Sequence, residues 1–256
     1  MKGFLRLGGV TGLLLVTLFA CGKKLPTPPP SSPGQNDTSR VVLAEMFSAK
    51  NCQNCPLGDS AIHALLANYG TARLIIVEYH PLNFSGPDSL GTAETDARCK
   101  YYGVSGYPTC LFDGQRKTAG PQDFYEAYHD SFEVESARRT PVVLGLTVSP
   151  QTGVATVKAR ALSAVPSPLI LQTVVISDSL YYRGPFQSWW RLVALDMIPD
   201  QNGDTLTLVS GDSLITRLRS IVVQPGWNPQ KLYIAAFVQN PATKEVLQST
   251  LVKFIP

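Results

Sequence analysis

The chain reads as an α/β domain followed by an all-β sandwich domain. Three observations predict this order. A β-type apolar run, Val41-Val42-Leu43-Ala44-Glu45-Met46-Phe47, breaks at Ser48-Ala49-Lys50-Asn51 and gives way to Leu57, Ala61, Ile62, Leu65, Leu66 and Tyr69 at helical spacing, stopped by Gly70. A second apolar run at residues 73–79 and two further helical stretches continue the alternation. Beyond Thr140-Pro141 the helical spacing disappears, and short strand-like runs alternate with Gly, Pro and Asn turns. At 256 residues the chain has room for both domains, residues 40–139 and 140–256, each with its own apolar pattern and expected to fold alone.

The two domains are preceded by residues of another kind. Residues 1–20 read as an export signal, with Lys2 and Arg6 at a positive start and an apolar centre at residues 10–19. Leu18-Phe19-Ala20-Cys21 resembles a bacterial lipoprotein box, which implies that Cys21 is lipidated and becomes the first mature residue. The competing readings are an ordinary signal or an uncleaved anchor, but the apolar run is short for a bilayer span. Gly22 is not the aspartate that commonly retains such proteins at the inner membrane, so the expected location is the outer membrane, with the leaflet open. Residues 21–39, rich in Pro, Ser, Lys and Asn, cannot bury a core and form a tether of roughly 3 Å per residue. The formal charge of +3 gives no case for nucleic-acid binding, and no cofactor is called for.

The first chemical motif is Cys52-Gln53-Asn54-Cys55, at the junction of strand and helix. A sulfur at a helix N-terminus meets free N–H groups and the positive end of the helix dipole, which favour a thiolate. Cys52 is therefore the candidate nucleophile, and Cys55, about one turn further in, the resolving thiol. Setting Cys21 aside, Cys52, Cys55, Cys99 and Cys110 allow three pairings. Spacing favours Cys52–Cys55, which leaves Cys99–Cys110 as a clamp on the loop between them, contributing about 2–3 kcal/mol by loop closure. A zinc site using all four sulfurs is the alternative, although the second pair lacks a close-spaced knuckle.

The second motif, Tyr101-Tyr102-Gly103-Val104-Ser105-Gly106-Tyr107-Pro108-Thr109, resembles a segment of the thioredoxin superfamily, and the likeness extends over residues 40–138. The resemblance implies a thioredoxin-like fold, a cis Pro108 facing the redox cysteines, and substrate contacts from Tyr107 and Thr109. Four departures bear on the chemistry. Asn51 stands where an aromatic often precedes the first cysteine, Gln53-Asn54 replaces Gly-Pro, and Pro56 follows the pair in the first helical turn. Met46 takes the place of a buried carboxylate, while strand alternation turns Glu45 to the opposite face.

Between the motifs, residues 80–88 read as loop and 89–102 mainly as helix. Asp113-Gly114 reads as a turn between two short strands, and residues 122–136 as a last helix. Each histidine is isolated in sequence. His63 lies beside the apolar stripe as a half-exposed structural residue, His80 fits a loop role near the active edge, and His129 carries no motif.

In the second domain, strands are expected at 142–148, 154–162, 169–176, 205–209, 214–223, 231–238 and 245–254, the pattern of an immunoglobulin-like sandwich. The segment Tyr181-Tyr182-Arg183-Gly184-Pro185-Phe186-Gln187-Ser188-Trp189-Trp190-Arg191 reads either as a recognition loop or as aromatics covering the core. The lipoprotein box, the segment 47–56 and the tail residues 234–240 and 243–247 together resemble the outer membrane protein 28 lipoproteins. Two functions follow. One is a membrane-anchored thiol–disulfide oxidoreductase that acts on extracytoplasmic protein thiols or disulfides with a separate redox partner. The other is a non-catalytic surface lipoprotein that uses both domains as a binding scaffold.

Overall fold

The structure, a computed structural model, describes residues 38–120, 123–211 and 214–255. Cys21, the expected signal and nearly all of the tether lie outside them. In chain order the elements are β1 (Val42–Phe47), α1 (Cys55–Tyr69), β2 (Leu74–Tyr79), α2 (Ala93–Tyr101), β3 (Thr109–Phe112), β4 (Arg116–Ala119) and α3 (Phe124–Ser136). There follow β5 (Val142–Ser149), β6 (Val154–Ala161), β7 (Leu169–Ser177), β8 (Leu180–Tyr181), β9 (Trp189–Trp190) and β10 (Val193–Ile198). The chain closes with β11 (Asp204–Leu206), β12 (Ile215–Ser220), β13 (Leu232–Gln239) and β14 (Val246–Lys253). The molecule is a mixed α/β protein with a central mixed sheet and further β sheets.

Local signals account for the helix ends. Pro56 sits in the first turn of α1, where its missing N–H costs nothing, and Gly70 closes the helix at φ 73° with its N–H on the Leu66 carbonyl. Helix α2 starts later than the sequence suggests. Thr92 and Thr95 form a reciprocal cap there, which leaves residues 80–91 as a long loop. Asp123 caps α3 by accepting from the Glu126 N–H.

Strand β1 divides the first layer by simple alternation. Glu45 points to α2, where Arg98 and Tyr102 bind it, and Met46 points to α1 and α3, beside Gly58 and Tyr128. Glu45 is fully buried, and its bidentate pair with the Arg98 guanidinium makes that burial tolerable.

The nine-stranded sheet runs β14-β13-β7-β10-β2-β1-β3-β4, with β11 added on β7. Strand β2 pairs in parallel with both β1 and β10, while the other pairs are antiparallel. Strands β7 and β13 alternate between two cores. Val174, Ile176, Ala235 and Phe237 join β1, β2 and the helices, whereas Leu169, Leu171, Ala236 and Val238 pack against β5 and β6. The latter belong to a separate three-stranded sheet, β12-β6-β5, so this part of the chain forms two stacked β layers.

The core therefore runs across residue 140 rather than stopping there. The link is β10, a strand that sequence reading passed over, joined to β2 through the residue pair Val193 and Glu78. At the far end Arg40 donates to Glu135, Glu245 and the Val246 carbonyl, and the Ser249 hydroxyl donates to the Val41 carbonyl.

Candidate functional site

The strand-to-helix junction after β1 carries a Cys52–Cys55 disulfide with Cα atoms 5.4 Å apart. The helix begins at Cys55 with Asn54 as its cap, so Cys52 precedes the helix rather than opening it. Its N–H donates to the Ala49 carbonyl, while the Leu57 and Gly58 N–H groups return to the Asn54 carbonyl. Cys55 is fully buried and Cys52 is 4% exposed, with Gln53 and Asn54 out in solvent. Phe84 and Tyr107, ring to ring at 4.8 Å, pack over the sulfur pair.

The Tyr107–Pro108 peptide is cis, as the superfamily resemblance implied. The Pro108 ring lies against Gly58, where an added Cβ would stand 3.0 Å from Cγ, so the loop is seated on the first turns of α1. Tyr107 reaches the Cys99 thiol with its hydroxyl, and burial raises its pKa well above the usual phenol range. Thr109 is buried and its hydroxyl donates to the Gly106 carbonyl at 2.7 Å, so this side chain is already occupied inside the loop.

The expected Cys99–Cys110 bond does not form, and both thiols are free and buried. Strand alternation explains it. Cys110 lies directly across from Met46 and so points toward α1 and α3, whereas Cys99 belongs to α2 on the opposite face of the sheet. The same separation removes the four-sulfur zinc arrangement. Burial pushes the Cys99 thiol up to about 11.

A set of carboxylates that sequence reading missed lies beneath the disulfide. Asp59, one helical turn after Cys55, is buried, and burial followed by the nearby Glu78 charge raises its pKa well above the carboxylate range. Its Oδ2 accepts from Gln187 at 2.7 Å and its Oδ1 has no partner. Glu78, the lone acid in apolar β2, approaches one nitrogen of His80 at 2.8 Å, and Asp88 approaches the other at 2.8 Å. His80 lies in the loop after β2, as expected, but is fully buried. Although burial opposes its charge, the two acids outweigh that and raise its pKa to about 9. Asp88 also accepts from the Lys50 N–H, tying the segment before Cys52 to this cluster.

The aromatic segment 181–191 comes to the same place. It forms the β8–β9 hairpin, and Gln187 crosses from it to Asp59. Tyr182 bonds Ser89 at 2.6 Å, and Trp190 is buried with its ring edge-on to His80 at 5.0 Å. Tyr181, Phe186 and Trp189 face solvent. Between hairpin and helix lies a cleft of about 260 Å³ that reaches Asp59 and Glu78 and is bounded by His63, Trp189 and Arg191. His63, held neutral by burial and then by Arg191, has its pKa lowered to about 4. His129 lies apart, beside Tyr69 at 3.0 Å.

No family model matches the chain, and neither does any curated protein. Solved structures do share its fold. HBP35 of Porphyromonas gingivalis aligns at a TM-score of 0.67 and 17% identity, covering 84% of this chain and 75% of that one. The protein AGR_C_4864 from Agrobacterium tumefaciens aligns at 0.61 and 18% identity, covering 84% of this chain and 95% of that one. A domain of the outer membrane lipoprotein Omp28 from P. gingivalis overlaps at a TM-score of only 0.31 and 16% identity, over 44% of this chain and 88% of that one, too little to carry an argument. At these identities the likeness concerns fold alone.

Proposed function

We propose that the protein is a thiol–disulfide oxidoreductase on a thioredoxin-like scaffold, acting on extracytoplasmic proteins through Cys52 and Cys55. The observation that carries this reading is the juxtaposition of three parts. The Cys52–Cys55 pair, the start of α1 and the cis Tyr107–Pro108 loop meet at one end of the sheet, and the buried acid Asp59 lies one turn below. Cys52 is the nucleophile because it is the sulfur with any exposure and lies ahead of the helix N–H groups; Cys55 resolves the mixed disulfide. The backbone beside Pro108 would receive an extended substrate. Anchoring by lipid at Cys21 in the outer membrane is the localisation part of the proposal and rests on the Leu18-Phe19-Ala20-Cys21 box.

A second reading, a permanent disulfide in a non-catalytic scaffold, is favoured by one observation: Phe84 and Tyr107 leave Cys52 only 4% exposed. Trapping separates the two. In the oxidoreductase, Cys55→Ser accumulates mixed disulfides between Cys52 and client proteins, and Cys52→Ser accumulates few. A reduced protein whose Cys52 resists alkylation, together with an empty Cys55→Ser trap, would leave the scaffold reading standing.

A further inference from the structure

The cluster beneath Cys55 extends this reading to a residue with a task of its own. We propose that Asp59 takes the proton from the Cys55 thiol as that thiol attacks the mixed disulfide, and that Gln187 of the C-terminal half holds Asp59 in place. The proposal rests on the oxidoreductase reading and adds the proton-handling group.

Three structural facts support it. Asp59 follows Cys55 by four residues, so both lie on one helical face, and helical side chains lean toward the N-terminus, which aims this carboxyl at the Cys55 turn. Its Oδ1 is buried without a partner, an arrangement that costs stability and calls for a use. The cleft opens on Asp59, giving a proton a way out to water.

The groups facing Asp59 set its charge. Glu78 from β2 opposes ionisation, while His80 beyond β2 and the Gln187 amide from the hairpin favour it. Ser48 lies beside it after β1, Cys110 faces it from β3 and Tyr128 from α3, His63 follows one turn further along α1, and Arg191 stands across the cleft. A carboxyl so placed stays protonated to higher pH than a solvated one, so it exchanges protons nearer to the range of a thiol.

Cys52 is joined to a substrate sulfur, and Cys55 gives its proton to the Asp59 carboxylate. The Cys55 thiolate forms the bond to Cys52 Sγ, the bond from Cys52 to the substrate sulfur breaks, and the substrate leaves as a thiolate. The enzyme dithiol is oxidised by two electrons and the substrate disulfide is reduced. The proton returns through the cleft to the departing thiolate. With a client dithiol the sequence runs in reverse, and Asp59 protonates Cys55 as it leaves.

The test is the rate at which the full chain, reduced and then loaded with glutathione at Cys52, closes its own disulfide between pH 5 and 9, followed by mass spectrometry. Asp59→Asn should close at least tenfold more slowly near pH 6, with a rate that rises with the titration of the thiol alone. Gln187→Leu removes a hydrogen bond that favours the Asp59 carboxylate, so the acid limb of the wild-type profile should move to higher pH. It also serves if Asp59→Asn does not fold. Profiles of both variants that superimpose on the wild type overturn the proposal and leave the oxidoreductase reading intact. Failure of Cys52 to take up glutathione at all overturns both.

Discussion

His80 is fully buried between Glu78 and Asp88, and each ring nitrogen donates to one of these acids. Its pKa of about 9 in the fold exceeds the 6.5 of an unstructured histidine. A raised value means that the stabilising contribution is complete below pH 6.5 and is lost as pH rises through 9. We expect the wild type to lose on the order of 3 kcal/mol from this source between about pH 6 and 10. His80→Gln, which keeps polar atoms but cannot carry the charge, should be less stable at pH 6 and show a flatter profile. Urea unfolding at intervals across that range checks it, and parallel profiles would remove the charged histidine from the account.

At the scale of the element, α1 is held so closely that its fourth residue, Gly58, has no room for a side chain. A Cβ on Gly58 would come within 2.9 Å of Met46 Cε and 3.0 Å of the Pro108 ring. In an open helix Gly→Ala stabilises by about 1 kcal/mol. Here the methionine tip can move but the proline ring cannot, so Gly58→Ala should destabilise, by about 1–2 kcal/mol net. Adding Met46→Ala should recover only the part owed to the methionine. A more stable Gly58→Ala protein in thermal melts would show that the helix and the Pro108 loop are less tightly packed.

The same element shows what could be read in advance. Strand β1, helix α1 and strand β2 were legible because their apolar spacing is regular over whole elements, and Cys52, Cys55 and Pro108 because their motifs are local. Asp59 was not, since a single acid beside an apolar stripe looks like a solvated face until the hairpin covers it. The partner of Cys99 failed for a related reason: sequence distance does not say on which face of a sheet a helix will lie. Strand β10 is as long as β1 but holds Asp196 at a register shift, and is recognisable only through its neighbours.

For the whole molecule, the consequence of β10 is that residues 40–139 and 140–256 share a sheet and a core. Either fragment alone would expose apolar surface such as Ile76, Val77, Ile176 or Ala194, and the first would leave Glu78 and Asp59 without their cover. We therefore expect the chain to unfold in one cooperative transition, and neither fragment to melt cooperatively when expressed alone. Sharp, independent melts of both would show that the shared core is dispensable and restore the two-domain expectation.

Arg40 stands at the beginning of the folded region, and its guanidinium reaches Glu135 of α3, Glu245 and the Val246 carbonyl. Tension applied to the chain ahead of Thr38 thus meets a grip on both halves at once. Through Val41 it is borne by Gln248 and Ser249 of β14 as well as by β1's own neighbours. Several bonds across distant parts of the chain must give way together before β1 can slide. A protein held by its N-terminus and tugged by a partner would transmit that pull into its centre before it yielded at its edge.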